Sequence, residues 1–207
     1  MSARTTHLVA AWCLDFPTEA LLSRLPELQA GTATVSRRQR EAMAPLLEHL
    51  ATTPLEALQL TYVDVFDMSK KFALYLSYWT DGDTRRRGEI LAGFKARYRA
   101  SGWLVDTHGE LPDYLPMVLE YAAVADPVDG PALLQEYRPS LELLKFALQA
   151  AGTPYAGLIE AVCDTLPGAS PADAAAVHRM AANGPPREQV GLDAYDPRLL
   201  PLSGGAQ

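Results

Sequence analysis

Apolar side chains in this chain recur at every third or fourth position and almost nowhere at every second one, and that period is what most narrows its possible folds. At 3.6 residues per turn such side chains line one stripe of a helix, and a stripe of that kind is stable only when another covers it. Leu55, Leu58, Tyr62 and Val65 form one stripe, and Leu141, Leu144 and Leu148 another. The expected architecture is therefore all-α, a single-domain helical bundle of about eight to ten helices. A chain of 207 residues, 48% hydrophobic, can bury one core of ordinary size.

Helix starts are legible from the caps. Ser36-Arg37-Arg38-Gln39 has the form of a capping box, in which the Ser and Gln side chains satisfy free N–H groups of the first turn. Thr53-Pro54, Thr153-Pro154 and Ser170-Pro171 each set a hydroxyl before a proline, whose missing N–H costs nothing at a helix start. Pro26 limits how far the helix carrying Leu21, Leu22 and Leu25 can run unbent, and Pro139 breaks the stretch 131–150 into a short helix and a restart. From Asn183 onward prolines and glycines block any long helix. Residues 1–182 are thus expected to form the domain and 183–207 a tail or lightly docked arm.

Charge and cysteine usage exclude several function classes. With 25 acidic against 18 basic side chains the net charge is −7, which disfavours binding to a phosphate backbone and favours basic partners. Cys13 and Cys163 sit among apolar neighbours with no second ligand at metal-binding spacing, so they read as reduced core thiols. The apolar run 8–14 is broken by Asp15, and no stretch approaches the roughly 18 apolar residues needed to span a bilayer. A cytoplasmic protein without direct membrane insertion is the expectation. Phosphate loops, paired metal-ligating histidines and a nucleophile elbow are absent, and His7, His49, His108 and His178 are scattered. The sequence reads as a non-enzyme with no cofactor of its own.

The densest mixture of rings and charges is 60–88. Asp67-Met68-Ser69 is expected to cap a helix running from Lys70 toward Trp79, whose Phe72, Leu74, Tyr75, Leu76, Tyr78 and Trp79 surround it on all sides like a buried element. Asp81-Gly82-Asp83 reads as a turn before a further helix on which Ile90, Leu91, Phe94 and Tyr98 share a face with Arg87. A partly buried Arg87 calls for a carboxylate such as Asp64, Asp67 or Asp81, giving Arg87, Asp81 and Asp83 structural roles; a ligand-binding Arg87 is the alternative. A second cluster gathers Glu110, Asp113 and Tyr114 at one loop-to-helix junction, where Asp113 can cap the helix.

These runs carry a family resemblance. YVDVFDMSKKFALYLSYWTDGDTRRRG, ELPDYLPMVLEYAA, RPSLELLKFAL and GTPYAGLIEAVCDTLP, with WCLDFPTEALLSRLPEL before them, resemble the NarJ-type nitrate reductase molybdenum cofactor assembly chaperones, in order across residues 8–166. The resemblance implies the all-helical TorD/DmsD-like fold and a cytoplasmic chaperone that is no stable subunit of the finished enzyme. It implies binding of the N-terminal segment of the apo catalytic (alpha) subunit, support for insertion of the molybdenum cofactor, and delay of membrane docking. Relatives serving exported enzymes have an acid-proline-acid-His motif at the junction where this chain has Glu110-Leu-Pro112-Asp113-Tyr114.

Residues and resemblance together place a basic, amphipathic client segment in a groove near Tyr62, Asp64, Asp67, Tyr75 and Trp79, with Glu110, Asp113 and Tyr114 at its rim. The alternatives are a chaperone for another molybdoenzyme, a small helical enzyme, or a helical nucleic-acid-binding regulator, the last opposed by the negative charge. The expected state is a monomer or weak dimer.

Overall fold

The computed structural model describes residues 2–81, 86–103, 105–107 and 109–183, with backbone alone for 81 and 180–183. Eleven α-helices follow one another among the described residues: α1 (Ser2–Leu14), α2 (Glu19–Gly31), α3 (Arg37–Thr52), α4 (Leu55–Tyr62), α5 (Tyr78–Asp81), α6 (Arg86–Ala100), α7 (Leu115–Glu120), α8 (Asp129–Glu136), α9 (Arg138–Ala151), α10 (Ala156–Cys163) and α11 (Ala174–Asn183). Helices α4 and α7 each widen into a π-helical turn, Val63–Asp67 and Tyr121–Ala125. No strand forms among the described residues; Tyr75 and Tyr114 make an isolated antiparallel bridge. The all-α expectation holds, and the expected arm 183–207 lies outside the described residues apart from the backbone of Asn183.

The caps came out unevenly. The Ser36–Gln39 box forms in both directions, Ser36 Oγ accepting from Gln39 N and Gln39 Oε1 from Ser36 N, each at 3.2 Å. The Ser/Thr-Pro pairs mark chain bends rather than caps. The Thr53 hydroxyl lies 3.1 Å from His49 Nδ1, leaving Pro54 to precede α4. Helix α10 starts three residues beyond Thr153, and α11 starts at Ala174 with Asp173 Oδ1 accepting from Ala176 N at 2.7 Å in place of Ser170. A residue before proline is held extended by sterics, which favours a bend whether or not its hydroxyl reaches the helix. Pro26 lies inside α2, which runs on to Gly31, and Pro139 sits in the first turn of α9 as expected.

The helix expected over 70–79 is not formed. Lys70–Phe72 is one 3-10 turn, capped by Ser69, whose Oγ accepts from Lys71 N at 3.3 Å. The chain then runs extended through Leu74 and Tyr75 because its backbone is claimed from outside: Leu76 N donates to Asp113 O (3.0 Å) and Leu115 N to Leu74 O (2.7 Å). Aromatic residues on all sides fit a buried extended segment as well as a buried helix.

Val9 and Leu14 of α1, Met43, Leu46 and Leu50 of α3, and Leu115 and Leu119 of α7 make one core with Leu141, Leu144, Leu158 and Ile159 of α9 and α10. Helix α1 lies against α7 and α10, and α10 also against α3 and α9. Cys13 and Cys163 are buried free thiols in this core, and burial pushes the Cys13 thiol up to about 12. Helix α9 buries an ionic triad in which Glu142 accepts from Arg138 Nε at 3.2 Å and from Lys145; Arg138 also donates to the Pro167 and Gly168 carbonyls, tying the loop after α10 to α9.

His7 of α1 is buried too. Its Nε2 lies 2.8 Å from Thr165 Oγ1, whose own proton goes to Val162 O (2.6 Å), so Nε2 is the donor and Nδ1 the unprotonated nitrogen without a partner. Burial lowers this imidazole from 6.5 to about 4. Above pH 6.5 neither folded nor unfolded chain protonates it; between 6.5 and about 4 the unfolded chain alone does, so folding stability falls with pH across that window. At 1.36 kcal/mol per pH unit the loss approaches about 3 kcal/mol. Urea unfolding at pH 7 and pH 5 should show this slope in the wild type and a flatter one in His7→Gln.

Candidate functional site

The bridge between Tyr75 and Tyr114 builds the floor of a broad groove. It sets the two rings side by side, centroids 5.6 Å apart. Beneath it Asp113, with no exposed surface, accepts at Oδ2 from Ser77 N (3.0 Å) and Ser77 Oγ (2.6 Å). The Arg87 guanidinium stands 3.7 Å from the same oxygen, donates from Nε to Ser77 Oγ at 3.3 Å, and lies 5.8 Å from the Tyr75 ring centre. On the far side the Tyr98 hydroxyl donates to Pro112 O at 2.6 Å. A buried ionic node thus pins the 73–77 segment to the 110–115 junction.

The groove above it holds about 640 Å³. Tyr62 and Phe66 come from α4 and its π turn, packed together at 4.8 Å, with Phe16 edge-on to Tyr62 at 5.5 Å. The widened turn places Phe66 inward and leaves Asp67 exposed on the groove wall. Leu111, Glu110 and Asp15 complete the rim. Phe16 and Leu111 are 40% and 38% exposed, large apolar groups left uncovered in a concave surface.

Hydroxyls order the walls. Tyr75 donates to Glu110 Oε2 at 2.6 Å and Tyr62 to Leu14 O at 3.0 Å. The Tyr114 hydroxyl lies 3.0 Å from that of Tyr62 and 3.2 Å from Asp15 Oδ1, and with Tyr62's proton committed it has one proton for both. Burial, reinforced at Tyr75 by Glu110, raises all three phenols, so they stay neutral. The wall's negative charge therefore comes from Asp15, Asp67 and Glu110, with Lys70 and Arg87 as its bases.

Of the eight residues expected to face a client, five line this groove: Tyr62, Asp67, Tyr75, Glu110 and Tyr114. Asp64 is exposed but off the groove, since the π turn directs Asp67 there instead. The Trp79 indole donates to Ala73 O at 2.9 Å and packs on the core. Asp113 is buried beneath the floor and does not cap α7, whose N-cap is Tyr114. Arg87 has the expected partly buried position, with Asp113 as one carboxylate beside it and no ion pair to Asp64 or Asp67. The expected roles of Asp83 and of the Asp81 side chain lie outside the described residues. Arg97 of α6 bridges Asp129 (3.3 Å) and Glu136 (2.6 Å) of α8.

Residues 33–160, which supply α3 through α9 and the groove's floor, match the family described as nitrate reductase delta subunit. The chain belongs to that family. It is 34% identical over 154 residues to the probable nitrate reductase molybdenum cofactor assembly chaperone NarJ of Bacillus subtilis, covering 74% of this chain and 83% of that one. It is 29% identical over 157 residues to the nitrate reductase molybdenum cofactor assembly chaperone NarJ of Escherichia coli K12, covering 74% and 66%. Identity reaches 47% over 104 residues with the nitrate reductase-like protein NarX of Mycobacterium tuberculosis, where the match covers 50% of this chain and 16% of that protein. A crystal structure of a candidate redox enzyme maturation protein from Archaeoglobus fulgidus superposes with a TM-score of 0.59 at 19% identity, over 78% of this chain and 92% of that one, and shares the fold. Asp15 and Phe16, two rim residues of this delta-subunit-family groove, lie outside the matched range and escaped the sequence reading. A large ring in an Asp-Phe-Pro break at the end of an apolar helix was their available signal.

No described helix is long and apolar enough to cross a membrane.

Proposed function

We propose that this protein is a cytoplasmic, system-specific maturation chaperone that binds the N-terminal segment of an apo respiratory nitrate reductase catalytic subunit. Bound there, it keeps the client open to molybdenum cofactor insertion and delays membrane docking, without catalysis of its own. The family membership and the names of the Bacillus subtilis and Escherichia coli relatives support the assembly role. The observation that carries the binding mode is the groove, where Phe16, Tyr62, Phe66 and Tyr75 alternate with Asp15, Asp67 and Glu110. Rigid aromatics supply anchoring area at low entropic cost, while carboxylates steer a basic segment and fix its orientation. An amphipathic helix lying apolar face down satisfies both.

A labelled peptide of the client's N-terminus, titrated by fluorescence anisotropy, tests this. Phe16→Ala should weaken binding by about 2 kcal/mol, roughly thirtyfold. Asp67→Asn should weaken it only a few-fold and flatten its salt dependence. Unchanged affinity in both variants overturns the placement. For the assembly role, the reductase made without this protein should contain little molybdenum, and full loading would refute it.

A further inference from the structure

On the other side of the Asp15–Tyr114 contact lies a second cleft of about 290 Å³, which shares Asp15, Glu110 and Tyr114 with the groove. Its base is apolar, formed by Trp12, Pro116 and Met117. Its rim is acidic: Asp106 and Glu120 join the two shared carboxylates, and no described lining residue is basic, the Arg24 guanidinium standing 4.7 Å from the Trp12 ring centre. The groove differs in having Lys70 and Arg87 on its walls.

Elsewhere the protein neutralises grouped carboxylates from within. Arg38 spans Glu160 and Asp164, Arg97 spans Asp129 and Glu136, and Arg138 with Lys145 encloses Glu142. At this cleft Asp15, Glu110 and Glu120 have no cation beside them among the described residues; the tyrosine hydroxyls of Tyr114 and Tyr75 meet Asp15 and Glu110 instead. Like charges held over an apolar base concentrate a negative potential that an incoming cation relieves. The carboxylates are too dispersed for a metal ion, since no described group of acidic, His or Cys side chains gathers closely enough to hold one. An organic cation on a hydrocarbon stem fits better: its methylenes cover Pro116 and Met117 while its head reaches the rim.

We infer that this cleft receives an arginine or lysine side chain of the same client segment whose apolar face fills the groove. The inference rests on the groove reading and adds a specificity element to it. One client is then read twice across the Asp15–Tyr114 wall, by apolar anchors on one side and by a cation on the other. An apolar helix without the basic residue loses the second contact, and a basic peptide without anchors loses the first.

The test uses the full chain, the labelled client peptide, and a peptide series in which each basic residue in turn is replaced by citrulline or norleucine. Glu120→Gln alters an exposed side chain, so its circular dichroism should match the wild type. At low salt Asp106→Asn/Glu120→Gln should bind the native peptide about three- to tenfold more weakly, with the difference vanishing near about 0.5 M salt. One neutralised peptide should lose the same factor against the wild type and nothing further against the double variant, the signature of a direct pair. Equal affinity and equal salt dependence of wild type and double variant, with Phe16→Ala still impaired, overturn the cleft inference and leave the groove standing. Failure of the wild type to bind the native peptide overturns both.

Discussion

Replacing Asp113 by alanine is expected to lower the unfolding free energy by about 3 kcal/mol, because it removes a fully buried carboxylate that serves Ser77 twice and stands 3.7 Å from the Arg87 guanidinium. Arg87 is 15% exposed and Asp113 not at all, so water screens the pair weakly. The same carboxylate oxygen serves Ser77 at both its N–H and hydroxyl, two donors that alanine leaves unpaired in a buried place. In a chain of 207 residues the melting temperature should drop by roughly 10 °C. Asp113→Asn keeps the shape and one acceptor and should cost less. Arg87→Met/Asp113→Ala should be more stable than the sum of the single losses implies, since the two groups touch and share Ser77, so their losses are not independent. Urea melts of the four proteins measure the cycle, and a single-variant loss under about 0.5 kcal/mol would rule out the node as the floor's support. The peptide affinity of Asp113→Ala should fall as well, through the positions of Tyr75 and Tyr114 rather than through any contact of Asp113 with a client.

The Asp113 case shows where the sequence was readable and where it was not. Its proximity to Glu110 and Tyr114 marked the junction correctly, because short-range spacing survives folding. Its role was misassigned because a capping carboxylate and a buried bridging one look alike until the partner segment is known, and Ser77 lies 36 residues away. The same long-range pairing explains the missing helix over 70–79, where the junction at 113–115 captured the backbone and overrode a helix-compatible pattern. Helices whose starts are written locally, such as α3 with its box and α9 with Pro139, were placed within a residue or two. The two π turns had no local signature, yet one of them sets Phe66 and Asp67 where the groove needs them.

Two glycines that look alike in sequence should respond to alanine with opposite signs. Gly157 lies in α10 and Gly93 in α6, each inside a helix where alanine is intrinsically favoured by about 0.5–1 kcal/mol. A Cβ at Gly93 meets nothing within 4 Å, so Gly93→Ala should gain about that much. A Cβ at Gly157 would fall 2.0 Å from the carbonyl oxygen of Ala42 and 2.9 Å from its carbon, where α10 crosses α3 backbone to backbone. No rotamer relieves such a clash, because both atoms belong to helices whose neighbours, Leu158, Ile159, Leu46 and Met43, are fully buried. The helices must separate and open the core, a loss of about 3 kcal/mol or more that outweighs the helix propensity gained. The measurement is a paired urea melt. Gly157→Ala melting with or above the wild type would mean that α3 and α10 are not in backbone contact, while a stabilised Gly93→Ala beside a crippled Gly157→Ala would fix that crossing as the reason the position holds glycine.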